Sequence, residues 1–278
     1  MSSLELAAPR GGVAPACVVS SFTLAALDLV FPALCPVCQT LLGPGRRDPL
    51  CGTCWSAITR LGDPWCHVCG AASPTVRSAE RGESGEWVTQ PAAWAASAVS
   101  RCAMCTVTPP HYDYARSAAV YEGQLREALH ALKFSGRRAL AGPLGELAVE
   151  QCLASLPDGI EALVPVPLAR ERERERGFNQ AALLARRIGR RLEVPIRPRW
   201  LARIRPTRPQ SDLSAAERRA NVRGAFRASP RVAGRHVLVV DDILTTGSTL
   251  DACARALREA GAFRVGVLTV ARVVHAAV

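Results

Sequence analysis

Residues 237–249 read VLVVDDILTTGST. Four apolar residues in a row, with no polar alternation, describe a strand covered on both faces. Such strands belong to parallel sheets sandwiched between helices. The run then meets two adjacent aspartates and a short loop of hydroxyls and glycine. In an open parallel sheet, ligands bind beyond the carboxyl ends of the strands, where a loop leads into a helix N-terminus. Thr245, Thr246, Gly247, Ser248 and Thr249 therefore offer an anion cradle of backbone N–H groups and hydroxyls, with Gly247 permitting close approach. Asp241 and Asp242 stand one loop away, where they can accept hydrogen bonds from vicinal sugar hydroxyls and balance a ring that becomes cationic. A sugar 5-phosphate meets both demands.

Strand-like and helix-like stretches alternate from about residue 111 onward. Helices are expected over residues 123–134, 143–156, 179–192 and 249–260, and strands at ALVPVP (162–167), HVLVV (236–240) and VGVLTV (265–270). In the last helix Leu250, Cys253, Leu257 and Ala260 recur at intervals of three and four, an apolar face for packing on a sheet. Apolar strands alternating with helices predict an α/β fold, a doubly wound parallel sheet.

Other uses of a strand ending in DD are excluded by what the chain lacks. A P-loop needs G-x-x-x-x-G-K, and the single lysine, Lys133, follows Leu132. A phospho-acceptor receiver needs a lysine on a later strand, and none follows Asp242. The loop carries no G-x-G-x-x-G dinucleotide fingerprint. A plain solvated turn needs fewer hydroxyls than TTGST supplies.

Eight of the eleven cysteines form four C-x-x-C pairs within 71 residues: Cys35 and Cys38, Cys51 and Cys54, Cys66 and Cys69, Cys102 and Cys105. A pair at this spacing turns two thiolates onto one metal. Two pairs complete a tetrahedral site, so four pairs provide for two structural zinc ions. Disulfides would need an oxidising compartment, and no secretory signal accompanies the cysteines. A thioredoxin-type pair would follow a strand in a βαβ unit, which these do not. Adjacent pairs sharing a metal make two ribbons in series, interleaved pairs a cross-braced unit, and the spacing leaves both open. Cys17, Cys152 and Cys253 lie in apolar segments and read as buried thiols. Residues 71–101 are polar and spotted with Pro, Gly and Ser, the mark of a mobile insertion. Trp87 and Trp94 within it either contact a partner or cover a small metal-held core.

The net charge of +11 is unevenly placed. Residues 1–110 are balanced, whereas residues 161–230 hold seventeen arginines against seven acidic residues, so anionic ligands are expected there. Because all but one of the 35 basic residues are arginine, the bias reads as genome base composition in preference to a choice of arginine for bidentate phosphate contacts. The apolar stretch at residues 13–34 is broken by Ser20, Ser21, Thr23 and Asp28 and reads as a packing helix. No membrane span is expected, and the cytoplasm is the expected location.

With these residues in view, the chain resembles the ComF family of type I phosphoribosyltransferase-like proteins. Residues 237–249 resemble that superfamily's phosphoribosyl-pyrophosphate motif. The ComF-like marks are the four cysteine pairs, YEGQLREALHALKFSG (121–136), LVPVPL (163–168), RERGFNQA (174–181) and RPTRPQSDLSAAERRANVRGAF (205–226). Together they cover about residues 27–273. The resemblance implies that Asp241 and Asp242 hold the ribose hydroxyls and that residues 245–249 hold the 5-phosphate. It implies that Pro167 and Leu168 belong to a pyrophosphate loop, and that RERERERGFNQ (170–180) is a flexible closing loop whose Arg174 and Arg176 neutralise charge. On spacing alone, that alternating run equally describes a solvated face. Mg²⁺ is implied as a cofactor carried mainly by the substrate's pyrophosphate and hydroxyls. Lys133, Phe134, Gln210, Ser211 and Asn221 stand at ComF-like positions with no phosphate role, either shaping an acceptor pocket or packing.

The expected organisation is an N-terminal extension with its packing helix over residues 1–30. A Cys-rich, double-zinc-ribbon-like module over 31–108 follows, with its insertion at 71–101, and then a phosphoribosyltransferase-like domain over 109–278. The expected function is binding of phosphoribosyl pyrophosphate with Mg²⁺ and transfer of phosphoribose to an unidentified nitrogen acceptor, in a context of competence and DNA uptake. A non-catalytic handler of single-stranded DNA and a phosphoribosyl-pyrophosphate sensor are the alternatives. Phosphoribosyl pyrophosphate, single-stranded DNA and the DNA-uptake machinery are the expected partners, and an oligomer is compatible with the sequence. His111, His130 and His236 fall in no catalytic pattern and read as structural.

Overall fold

The computed structural model describes residues 33–43, 49–62, 66–71, 80–81, 87–88, 101–205 and 215–274. The packing helix expected over residues 13–34 lies outside the described residues except at its last two positions. Cys17, Trp94, Gln210, Ser211 and most of the 71–101 insertion also lie outside them. Within that insertion β1 (Glu80–Arg81) and β2 (Trp87–Val88) form a two-residue antiparallel ladder.

A four-stranded, all-parallel sheet carries the fold. Its order is β3 (Tyr114–Val120), β8 (Arg264–Arg272), β7 (His236–Leu244) and β4 (Ala162–Pro165). β7 and β8 lie in the middle, and their aliphatic residues are buried almost throughout, as strands covered on both faces require. Alternation along the strands divides the core in two. Leu163, Leu238 and Val240 pack with α3 (Gly123–Phe134), α4 (Ala141–Cys152) and α6 (Gln180–Leu192). Ala162, Val164, Val237 and Val239 pack with α8 (Ser248–Glu259) and with a ribbon of β5 (Leu201–Arg203) and β6 (Phe226–Ala228).

The expected helices and strands are present to within a few residues at their ends. Three features differ from expectation. β3 was not anticipated, because DYARSAAV is polar enough to read as loop, yet it is one of the sheet's two edge strands. β7 runs on through Leu244, so the two aspartates belong to the strand itself. The segment expected as a flexible closing loop is a short exposed helix, α5 (Arg170–Arg176), ended by Gly177 at φ 73°. Glu171 and Glu173 in its first turn and Arg174 and Arg176 in its last complement the helix dipole, which favours helix over loop.

The cysteine-rich segment covers the open edge of β3. Thr59 and Ala118 accept from Val120 N and Leu61 N at 2.8 and 2.9 Å, and Val68 accepts from Ala115 N at 2.6 Å. An exposed strand edge is thereby paired rather than left to recruit another chain. The segment straddles the sheet. Cys35, Cys51 and Cys54 join the α3, α4 and α6 core, whereas Cys66, Cys69 and Cys105 join the α8 core. Docking depends on Gly70, at φ 69°, where a Cβ would stand 2.4 Å from the Ala115 carbonyl oxygen. Gly70→Ala is therefore expected to cost about 1–3 kcal/mol, measured as a lowered denaturation midpoint. Gly62→Ala, with open space around it, is expected to be near neutral.

Candidate functional site

A cavity of about 210 Å³ opens beyond the carboxyl ends of β4 and β7. β4 delivers Pro167 and Leu168, and β7 delivers Asp241 and Asp242. The following loop and helix start add Thr245, Gly247 and Thr249, α3 adds Lys133, and Arg172, Gln180 and Arg203 complete the lining. Asp241, Asp242, Thr245, Gly247, Thr249, Pro167, Leu168 and Lys133, all singled out from the sequence, thus share one cavity.

Alternation sends the adjacent aspartates to opposite faces of the sheet. Asp242 follows the Leu238 and Val240 face and is 3% exposed. Lys133, near the C-terminal end of α3, pairs with its Oδ2, and Gln180 Nε2 lies 3.4 Å from its Oδ1. Burial, the largest influence, would raise the Asp242 pKa, but the Lys133 ammonium together with hydrogen bonds from Asp241 and Gln180 outweighs it and holds the carboxyl below its ordinary range. Asp241 takes the other face. Desolvation first, and the neighbouring Asp242 charge second, push its pKa well above the usual carboxylate range. Its Oδ1 accepts the Asp242 N–H at 2.9 Å. The site therefore keeps one carboxylate matched by a cation and one poised to take a proton.

The RGFNQ stretch ties the cavity together. Phe178 is buried beneath the Arg138 guanidinium, 4.7 Å from its ring centroid. Asn179 caps α6, accepting from Ala181 N and Ala182 N, while its Nδ2 donates to the Val166 carbonyl at 3.0 Å. The start of α6 is so fixed to the loop after β4. Gln180 reaches Asp242 and also accepts from Arg176 Nη1 at 2.7 Å.

The cradle begins at Gly247, whose φ of 77° turns the chain into α8. Thr246 and Ser248 hydroxyls bond each other at 2.9 Å, and Ser248 is buried, so these two shape the turn. Thr245, Gly247 and Thr249 face the cavity at the positive end of a twelve-residue helix.

The arginines fall differently from expectation. Arg172 and Arg203 line the cavity, whereas Arg174 does not, and Arg176 reaches it only through Gln180. Helical spacing explains this, since positions 172 and 176 share a face of α5 and 174 lies across from them. Lys133 was the functional residue least visible in sequence. Its signals were its singularity among the basic residues and its ComF-like position in LKFSG, neither of which pointed to a carboxylate partner.

The eight paired cysteines form two groups, Cys35, Cys38, Cys51 and Cys54, and Cys66, Cys69, Cys102 and Cys105. Adjacent pairs therefore share a centre, and within each group all four Sγ atoms lie within 4.8 Å of one another. Cys38 and Cys51 sulfurs are 3.5 Å apart, Cys69 and Cys102 3.7 Å. Thiolates about 2.3 Å from a tetrahedral zinc stand about 3.8 Å from each other, so the donor sets fit structural zinc. Cys54 N and Cys102 N point at Cys51 Sγ and Cys66 Sγ at 3.4 and 3.3 Å, steadying the thiolates. Cys152 and Cys253 are buried thiols, and burial pushes Cys152 up to about 12. His236 is buried too, bonded to the Tyr114 hydroxyl at 2.9 Å. His111 holds Asp251, and His130 packs on Phe134.

Sheet, cradle and twin cysteine centres define a phosphoribosyltransferase-type α/β protein carrying zinc ribbons. Comparison with known families agrees. The phosphoribosyl transferase domain matches residues 177–277, and the double zinc ribbon domain matches residues 26–86. The chain is 33% identical over 251 residues to the DNA utilization protein YhgH of Escherichia coli (strain K12), covering 88% of this chain and 99% of that protein. It is 39% identical over 115 residues to Competence protein F of Haemophilus influenzae, 40% of this chain and 50% of that protein. It is 34% identical over 146 residues to Competence protein ComFC of Bacillus subtilis, covering 52% and 58%. The chain belongs to the ComF family. No helix among the described residues is long and apolar enough to cross a membrane.

Two outcomes are expected. Elemental analysis should find two zinc ions per chain, with Cys51→Ser/Cys54→Ser losing one and keeping the other. The aspartates should differ in sign. A raised Asp241 pKa means stability lost as pH rises from the ordinary carboxylate range through the raised value, so Asp241→Asn should stabilise at neutral pH by about 1 kcal/mol, or roughly 2–4 °C. Asp242, held low, contributes stability that disappears only as pH falls through its folded pKa. Asp242→Asn should therefore lower the melting temperature at neutral pH by leaving Lys133 unmatched.

Proposed function

We propose that the cavity binds phosphoribosyl pyrophosphate with Mg²⁺ and transfers phosphoribose to a nitrogen acceptor. The observation that carries this reading is the meeting of Asp241 and Asp242 with the Thr245–Gly247–Thr249 cradle in one cavity. The cradle suits the 5-phosphate, the carboxylates suit the ribose hydroxyls, and the turn after Pro167, which has no N–H of its own, would offer the backbone N–H groups of Leu168 and Ala169 to pyrophosphate. The oxygen donors present, two carboxylates and two hydroxyls, are the hard ligands that Mg²⁺ takes. When bound, Mg²⁺ would supply neutralising charge to the leaving pyrophosphate.

The chain's own residues would do the rest. As the bond from the anomeric carbon to pyrophosphate breaks, the ring gains positive charge, and ionised Asp241 and Asp242 offset it. Arg172, with Arg176 behind Gln180, offsets the charge gathering on the departing oxygens. Movement of α5 over the cavity would bring Arg176 inward and exclude water, whereas Arg174, across the helix, would reach the pyrophosphate only if α5 unwinds into the closing loop expected from the sequence. The acceptor nitrogen takes the carbon as pyrophosphate leaves.

The relatives' names, DNA utilization protein and Competence protein, suggest that the acceptor or the regulated process lies in DNA handling, in keeping with the arginine excess at residues 161–230. A sensor of phosphoribosyl pyrophosphate, or a non-catalytic protein for single-stranded DNA, would use the same fold without releasing pyrophosphate.

Calorimetric titration of phosphoribosyl pyrophosphate with Mg²⁺ tests the reading. Wild type should bind, and Asp241→Asn/Asp242→Asn should lose at least about tenfold in affinity, since hydrogen bonds to charged groups contribute roughly 1.5–3 kcal/mol each. Affinity should rise with pH as Asp241 loses its proton, and Asp241→Asn should flatten that rise. Binding that ignores both substitutions would refute the assignment.

A further inference from the structure

The second cysteine centre is built against the cradle, and we propose that it positions the cradle, making Tyr112, His111 and Asp251 positioning residues for sugar-phosphate binding. This rests on reading residues 245–249 as a phosphate cradle.

The segment that supplies Cys102 and Cys105 continues through α2 (Ala103–Val107) directly to His111 and Tyr112. Tyr112 is 7% exposed and shares its core cluster with Cys66, Cys69, Cys105, Leu244 and Leu250. A Cβ placed on Gly247 would stand 3.6 Å from the Tyr112 hydroxyl, so the tip of this side chain lies against the turn. His111 N and Nδ1 lie 2.7 and 3.0 Å from Asp251 Oδ1, and Asp251 N donates to the Gly247 carbonyl at 2.8 Å. The far end of the cradle is thereby tied to the ribbon. Its near end is tied as well. Arg272 pairs in register with Leu244, the last residue before the loop, and its Nη1 donates to the Cys69 carbonyl at 2.5 Å. Both flanks of residues 245–247 thus connect to one metal-held unit. The first centre instead packs into the core on the other face of the sheet.

An anion cradle works only while its N–H groups converge, and a turn of small residues has little packing of its own to keep them so. The Cys66, Cys69, Cys102 and Cys105 centre supplies that rigidity from behind. Loss of its metal should loosen the cradle before it unfolds the sheet.

The experiment uses the full, zinc-loaded chain with ribose 5-phosphate as probe, and measures affinity by calorimetry beside melting temperature and zinc content. Cys102→Ser/Cys105→Ser disrupts the second centre and Cys51→Ser/Cys54→Ser the first. Tyr112→Leu and His111→Ala probe the connection with all eight paired cysteines intact, and Tyr112→Phe is the conservative rescue. Affinity should fall roughly 2- to 30-fold in the second-centre, Tyr112→Leu and His111→Ala variants. It should stay near wild type in the first-centre variant, whatever that variant loses in melting temperature, and return with Tyr112→Phe. Equal weakening by both centres would mean general destabilisation and overturn the proposal. Unchanged affinity in Tyr112→Leu and His111→Ala would overturn it too. A wild type that fails to bind ribose 5-phosphate would refute the cradle itself and take this inference with it.

Discussion

Asp242 is a carboxylate near the end of a strand whose residues 237–240 are aliphatic and fully buried, and such a charge is costly unless a cation and hydrogen bonds meet it. Lys133 and Gln180 meet it. That requirement fixes where α3 must end and where α6 must begin, and Asn179 and Phe178 hold the second of these in place. Removing one partner of a buried pair commonly costs about 3–5 kcal/mol, so the cavity walls are set by electrostatics as much as by packing. Asp241, one residue earlier, has no salt bridge among the described residues, and burial beside Asp242 holds its pKa above the ordinary carboxylate range. The combination fits a site that holds one fixed charge and reserves another for its ligand.

The two cysteine centres solve a separate problem. A four-stranded parallel sheet with β3 on its edge needs that edge covered. A cysteine-rich segment too small to build a core of its own does so by placing one metal-binding centre on each face. Backbone pairing of residues 59–61 and 68 with β3 makes the ribbons part of the same body as the cradle. This shared framework gives a motif that looks purely structural a route to the ligand.

How much of this was readable in advance depended on whether the signal was local. The buried strand and the four cysteine pairs are each written in a few consecutive residues, and the structure has both, with the hydroxyl-rich loop directly after the strand. Pairing of the cysteines needed three-dimensional proximity, because thiolate spacing permits serial and interleaved schemes alike. Lys133 lies 109 positions before Asp242, and nothing in LKFSG announces a carboxylate partner. The RERERER run misled because a period of two in sequence becomes a period of 3.6 on a helix, turning Arg172 toward the cavity and Arg174 away. β3 was missed because Asp113, Arg116 and Ser117 break its apolar pattern, although Arg116 and Ser117 each find a partner inside the fold, the His67 carbonyl and Thr269.

A crystal structure of the zinc-loaded protein with ribose 5-phosphate tests the central claim most directly. The phosphate should sit at the N-terminus of α8 within hydrogen-bonding reach of Thr245, Gly247 and Thr249, with the ribose hydroxyls on Asp241 and Asp242. A phosphate seated instead among Arg170, Arg203 and Arg205, with the cradle left to solvent, would contradict the account and favour a protein that uses this fold to hold nucleic-acid backbone.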